Sequence, residues 1–286
     1  MSRCGLAIVL GALGLVCGCR TGLGPGSPGP SADARSVERI EPIEQVGIPV
    51  DDSLELEGYL YRPKGPGPFP AVVLMHGCMG VGANYVPLNN VAFLLRDTGY
   101  VALVVDSFVA RNVFLALPVC SGSPPTVGDR VGDAFAATRY LSSLPFVDSS
   151  HIGLVGWSHG GIAAVMAWAR NAAAPATSRF AAVAAYYPSC FSQDIRSPSV
   201  PLLIISGEND DWCPATPCQT LVETAALEGH RDVSIIVYPG ATHSFDTTFR
   251  GRAGDFAGHH MVPDLAAARD SRERLLAFFD RTLRSR

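Results

Sequence analysis

The stretch IGLVGWSHGGIAAVMAWA, residues 152–169, runs from a short apolar segment into Gly156-Trp157-Ser158-His159-Gly160 and then into an Ala-rich sequence. The first part suits a buried strand and the last part a helix, so Ser158 stands at the seam between them. A serine at such a seam occupies a strained strand-to-helix turn that exposes its hydroxyl, and glycine neighbours permit the close backbone approach the turn needs. The G-x-S-x-G pattern is short and weak alone; its position on a strand-to-helix boundary makes Ser158 a candidate nucleophile.

Outward from this segment, apolar runs alternate with helical patterns. The runs are AVVLMH (71–76), YVALVVD (100–106), IGLVGW (152–157), AAVAAYY (181–187), PLLIISG (201–207) and VSIIVYP (233–239). They lack polar alternation, as strands covered on both faces do. Helical patterns are expected over Pro87–Thr98, Gly128–Ser143, Gly160–Arg170, Ala215–Gly229 and about Ala266–Leu283. LELEGYLYRP, earlier in the chain, has the alternation of an exposed antiparallel strand, and GPGPFP after it reads as a turn. The pattern predicts an α/β fold, a mostly parallel twisted sheet with helices on both faces and right-handed crossovers.

Composition sets the outer limits. With 286 residues, 48% of them hydrophobic, the chain can bury one sizeable core, expected over residues 40–286. The net charge of −4 comes from intermixed acids and bases, and no basic block is interleaved with aromatics, which argues against a nucleic-acid partner. Arg3 precedes an apolar run from Leu6 to Gly18, too short to cross a bilayer, so residues 1–19 read as a signal peptide. Its end, Val16-Cys17-Gly18-Cys19, resembles a bacterial lipobox, with Cys19 as the lipidated residue and Arg20 after it. Residues 20–39, rich in Gly, Pro and Ser, read as a tether. The domain is then expected to be exported and held in the cell envelope, or otherwise secreted, touching membrane through the lipid anchor only. An oxidising compartment permits disulfides among Cys78, Cys120, Cys190, Cys213 and Cys218, with one thiol left over.

In open α/β sheets the ligand site lies beyond the carboxyl ends of the strands. A serine hydroxyl needs a base to take its proton, and the base needs an orienting group. His243, in YPGATHSFD, follows the last strand run. Asp210 and Asp211, in SGENDDWCP, follow the preceding one, and Asp210 is preferred. The glycine-rich turn LMHGCMG can present the Cys78 main-chain N–H as one oxyanion donor, and the His159 N–H supplies the second; neither role uses the side chain. His243, Asp246, Asp255, His259 and His260 gather towards the C-terminus, but their spacings match no ligand motif, and neither metal nor cofactor is expected. Segments Ser107–Val127 and Phe245–Pro263 are expected to wall the pocket, with Phe108, Phe114, Trp212 and Phe245 as candidate lining residues.

HGCMG, GYVALVVDSF, RVGDAFAATRYLSSLPFVDSSHIGLVGWSHGG, AAYYPSC, GENDDWCP, YPGATHSFD and AAARDSRERLLAFF together resemble the dienelactone hydrolase family of the α/β-hydrolase superfamily, over about residues 40–284. The resemblance implies Ser158 as nucleophile, Asp210 as acid and His243 as base. Dienelactone hydrolases proper carry cysteine at the nucleophile position. Serine here favours a general carboxylesterase acting on small-molecule esters or lactones. The same triad would serve a peptidase related to the prolyl oligopeptidases, which usually carry a large extra N-terminal domain, and an anchored non-catalytic binding module is the third reading. Adjacency of the strand runs they follow pairs Cys190 with Cys218 and Cys78 with Cys120.

Overall fold

Runs of β-branched and aliphatic residues with no polar interruption have nowhere to go but the middle of a covered sheet, and they form its parallel core. In the computed structural model, which describes residues 43–191, 200–247 and 254–284, every residue of β4 (Val101–Asp106), β6 (Ala182–Tyr186) and β7 (Leu202–Gly207) is buried. These strands join β3 (Phe69–Met75), β5 (Val147–Trp157) and β8 (Val233–Tyr238) in parallel, while β1 (Glu44–Pro49) and β2 (Glu55–Tyr61) add an antiparallel edge. The order across the eight-stranded sheet is β1-β2-β4-β3-β5-β6-β7-β8. Residues Glu41–Arg286 form one compact unit. The reading of residues 1–39 as signal peptide, lipidation site at Cys19 and tether falls outside the described residues.

Helices cover both faces. On one side α4 (Val127–Ser142), α5 (His159–Arg170) and α6 (Thr216–Leu227) bury Val131, Ala134, Ala164, Trp168 and Leu221 against alternate strand residues. On the other, α2 (Tyr85–Asp97) and α7 (Leu265–Leu283) bury Leu88, Val91, Phe278 and Phe279. Two short turns of helix, α1 (Gly80–Ala83) and α3 (Leu117–Cys120), lie in the loops after β3 and β4. Helix α4 begins with a capping box, in which Thr126 Oγ1 accepts from the Asp129 N–H and the Asp129 carboxylate accepts from the Thr126 N–H. Asp264 caps α7 with its carboxylate alone, accepting from the Ala266 and Ala267 N–H groups.

Three elements depart from the expectation. Strand β1, EQVGIP, is an edge strand with mostly exposed residues, so no apolar run betrays it. A small hairpin of β9 (Gly254–Phe256) and β10 (His259–Met261) stands in what reads as loop, because three-residue strands are too short for alternation to show. Strand β5 starts at Val147, earlier than its apolar part.

The strand order places the site. From β3 the chain goes to β4 on one side, then crosses back to β5 on the other, so the order reverses at the carboxyl end of β3. That switch point opens the crevice in which α/β sheets bind ligands, and His76-Gly77-Cys78 follows β3 directly.

Candidate active site

Ser158 sits between β5 and α5 with φ 52° and ψ −118°, a backbone state that a side chain rarely tolerates. Its flanking glycines are fixed by space: a Cβ on Gly156 would lie 2.0 Å from Gly160 O, and one on Gly160 would lie 2.4 Å from Met75 O and 2.5 Å from His76 O. The turn is thus wedged against both its own helix and the end of β3. Ser158 itself donates its N–H to Tyr186 O and is left half-buried, with Oγ directed at His243.

His243 follows β8 and is buried between two rings, Tyr187 at 4.7 Å and Trp212 at 5.1 Å. Its Nε2 lies 2.9 Å from Ser158 Oγ and its Nδ1 2.8 Å from Asp210 Oδ2. The other oxygen of Asp210 accepts the N–H groups of Trp212 and Cys213 at 3.0 and 2.7 Å, which locks the carboxylate in place. The structure thus brings together Ser158, Asp210 and His243, and Asp211 turns away towards His259. Burial pulls the His243 pKa down, but hydrogen bonds to Asp210 and Cys213 and the charge of Asp210 outweigh it and raise the pKa to about 9.

The turn after β3 is oriented by its carbonyls. Gly77 O accepts from His76 Nδ1 at 2.6 Å and from Gly80 N–H at 3.2 Å. Because the peptide unit is planar and trans, pinning Gly77 O aims the Cys78 N–H the opposite way. The same holds at the elbow, where Ser158 O accepts from Ile162 N–H at 2.8 Å, leaving the His159 N–H at the open first turn of α5. Neither side chain is idle. The Cys78 thiol is bonded to Cys120, and the His159 imidazole is 3.0 Å from Arg130 Nη1. Burial, then the charge of Arg130, pulls the His159 pKa down to about 4, so its Nδ1 is a neutral acceptor at pH 7.

The cleft in front of Ser158 is small and open to solvent, and is lined by Cys78, Met79, Asn84, Trp212, Phe256 and Met261 among others. This bears out one expected wall, segment Phe245–Pro263, which lines the cleft through Phe256 and Met261, and corrects the other, segment Ser107–Val127. Of the four candidate aromatics only Trp212 lines the cleft. Phe108 packs behind the turn against His76 at 4.5 Å, and Phe245 is fully buried among Tyr186, Tyr187 and Tyr238. Phe114 is 79% exposed and is not among the lining residues. Segment Ser107–Val127 braces the turn through Phe108 and Val119 rather than lining the cleft. Phe256 and Met261, from the small hairpin, went unread because the hairpin itself did.

The model of the dienelactone hydrolase family matches residues 56–283. The chain belongs to the dienelactone hydrolase family. Family membership makes it a carboxylic ester hydrolase. A protein of Bradyrhizobium sp named as a probable 2-oxo-3-(5-oxofuran-2-ylidene)propanoate lactonase is 28% identical over 67% of this chain and 79% of its own. An uncharacterized protein of Mycobacterium tuberculosis is 30% identical over 79% of this chain and 80% of its own. The fold is shared with a dienelactone hydrolase-like promiscuous phosphotriesterase from metagenomic libraries, with TM-score 0.70, 18% identity, and 84% and 98% of the two chains covered. It is shared also with Thermogutta terrifontis esterase 2 phosphorylated by paraoxon, with TM-score 0.62, 20% identity, and 85% and 95% covered.

Two further side chains of this dienelactone hydrolase family member have roles the sequence did not reveal: Asp246, grouped there only with the C-terminal histidines and aspartates, and Arg130, which the sequence does not single out. Asp246 is buried and accepts from Trp157 Nε1 at 2.9 Å and Tyr187 OH at 2.7 Å, tying the residue before Ser158 to the ring that packs on His243. Arg130, fully buried on α4, is described below. The remaining residues of the C-terminal His/Asp group pair locally: His259 stacks on Trp212 at 4.5 Å and His260 pairs with Asp255 at 2.9 Å. The predicted disulfides Cys78–Cys120 and Cys190–Cys218 are both present, and Cys213 is the buried free thiol. Disulfides of this kind belong to oxidising compartments outside the cytoplasm. Among the described residues no helix is long and apolar enough to cross a membrane.

Proposed function

We propose that the protein is a serine carboxylesterase that cleaves small, uncharged esters or lactones through an acyl-enzyme. The observation that carries this reading is the unbroken chain from Ser158 Oγ through His243 to Asp210, at 2.9 and 2.8 Å. His243 takes the Ser158 proton as Oγ attacks the ester carbonyl, Asp210 steadies the imidazolium, and the Cys78 and His159 N–H groups receive the tetrahedral oxyanion. The alcohol leaves with the proton that His243 returns, and water repeats the sequence on the acyl-enzyme. The cleft supports a small substrate without a carboxylate, since its lining includes neither Lys nor Arg and its one ionisable base, His243, is already paired with Asp210. The lactonase name of the Bradyrhizobium relative supports lactones as a substrate class alongside open esters.

The test is turnover of p-nitrophenyl acetate, butyrate and octanoate by the wild type and Ser158→Ala. The expected result is activity falling with chain length and a loss of about 10⁴-fold or more in the variant. Paraoxon, which phosphorylates the Thermogutta esterase, is expected to inactivate the wild type with one adduct on Ser158. An active Ser158→Ala overturns the reading. The proposal extends to the amino terminus: residues 1–19 as signal peptide, Cys19 lipidated, residues 20–39 as tether and 40–286 as the catalytic domain. Palmitate labelling that survives in Cys19→Ala would overturn that part.

A further inference from the structure

Arg130 is 0% exposed, yet its guanidinium meets only neutral acceptors. Nη2 donates to His76 O at 2.6 Å, Nη1 to His159 Nδ1 at 3.0 Å, and Nε to Ser107 Oγ at 3.4 Å. Among the described residues no carboxylate comes within ion-pair distance. Asp133 on the same helix, the carboxylate whose charge acts on Arg130 most, is taken by Arg111 in a two-pronged pair at 2.7 and 2.9 Å. A guanidinium buried against neutral partners costs several kcal/mol of desolvation, and stability alone would be served better by an apolar side chain of similar volume. Burial lowers its pKa to about 10, so it remains a cation at neutral pH.

What the guanidinium touches suggests why the charge is kept. His76 O lies two residues before Cys78, on the turn whose carbonyls aim the Cys78 N–H. His159 carries the other N–H. The two segments come from different strands, β3 and β5, and the planar fork of an arginine spans them with directed bonds at both ends. We infer that Arg130 is the positioning residue of the oxyanion site: it fixes the spacing of the two segments that carry the Cys78 and His159 N–H groups, and it sets a buried positive charge against both. The substrate never meets it. Its effect falls on the transition state, where the carbonyl oxygen gains charge, and hardly on ground-state binding.

This inference rests on the serine esterase reading, and its test separates the two. Kinetics on p-nitrophenyl acetate and on the matching thionoester are compared for the wild type, Arg130→Lys and Arg130→Met, with thermal melting as the check of folding. Sulfur is a weak hydrogen-bond acceptor, so an enzyme that depends on preset N–H donors prefers the oxygen ester strongly. Arg130→Met is expected to keep KM within about threefold, lose about 10- to 100-fold in kcat, and show a fall of about tenfold in its ester-to-thionoester preference. Arg130→Lys, which keeps the charge but cannot hold both segments, is expected to fall between. A folded Arg130→Met with wild-type kcat, or with reduced kcat and an unchanged preference, overturns the inference. Should Arg130→Met fail to fold, His159→Ala removes the acceptor at one end of the bridge and leaves the main-chain N–H. It is expected to lower kcat and the preference together, and wild-type values for both overturn the inference. A wild type that neither turns over esters nor takes a fluorophosphonate on Ser158 overturns both readings at once.

Discussion

A histidine held between a carboxylate and a hydroxyl, and closed in by two rings, is a base whose pH range is set by its neighbours. Because the His243 pKa is raised to about 9, the group is mostly protonated at neutral pH and must lose that proton to act. The kcat/KM profile is expected to climb with pH well above 6.5, to reach half its plateau near pH 9 and to level off only above that. Asp210→Asn removes the main upward influence and leaves burial, so the rising limb should move to lower pH while the plateau falls by orders of magnitude. The same shift has a stability side: a raised pKa in the folded state stabilises below pH 6.5, and that contribution is lost as pH rises through about 9. Asp246→Ala would strand two buried donors, Trp157 Nε1 and Tyr187 OH, and is expected to cost about 2–5 kcal/mol, read as a lower urea midpoint. Asp246→Asn, which keeps an acceptor oxygen, should cost less. Ser158, Asp210 and His243 were legible because each follows a strand run. Arg130 and Asp246 were not, since a charged residue in a helix or loop pattern carries no mark of being buried.

At the scale of elements, the elbow is a contact between three of them. Gly160, at the start of α5, touches the carbonyls that end β3, so the helix bearing the His159 N–H and the turn bearing the Cys78 N–H are in backbone contact. Gly160→Ala puts a methyl group 2.4 Å from Met75 O and must push them apart. We expect a loss of about 1–3 kcal/mol in stability, measured by denaturant melting, and a larger fractional loss in kcat. The parallel strands and the five long helices could be read because their periodicities run for several residues. Strand β1 and the hairpin could not, since an exposed edge and a pair of three-residue strands leave too few positions for a pattern. Phe256 and Met261 were missed as lining residues for that reason, although the segment that holds them was expected to wall the cleft.

Across the whole molecule, two disulfides close loops of 42 and 28 residues of chain separation, each contributing roughly 3–4 kcal/mol in the chain-entropy account. Reduction under mild denaturant is expected to lower the melting temperature, and Cys78→Ser paired with Cys120→Ser should lower kcat as well, because that bond ends on the oxyanion turn. Full activity with both pairs reduced would count against that coupling. Their pairing could be anticipated because neighbouring strands deliver their following loops to one edge. One feature reaches further. The hairpin that supplies Phe256 and Met261 to the cleft also reaches the machinery, since His259 stacks on Trp212 at 4.5 Å, and Trp212 both packs on His243 and gives its N–H to Asp210. Substrate choice and the base are thus coupled through one indole. Random libraries at Phe256 and Met261 that keep His259 are expected to change which esters enter while the ring beside His243 stays in place.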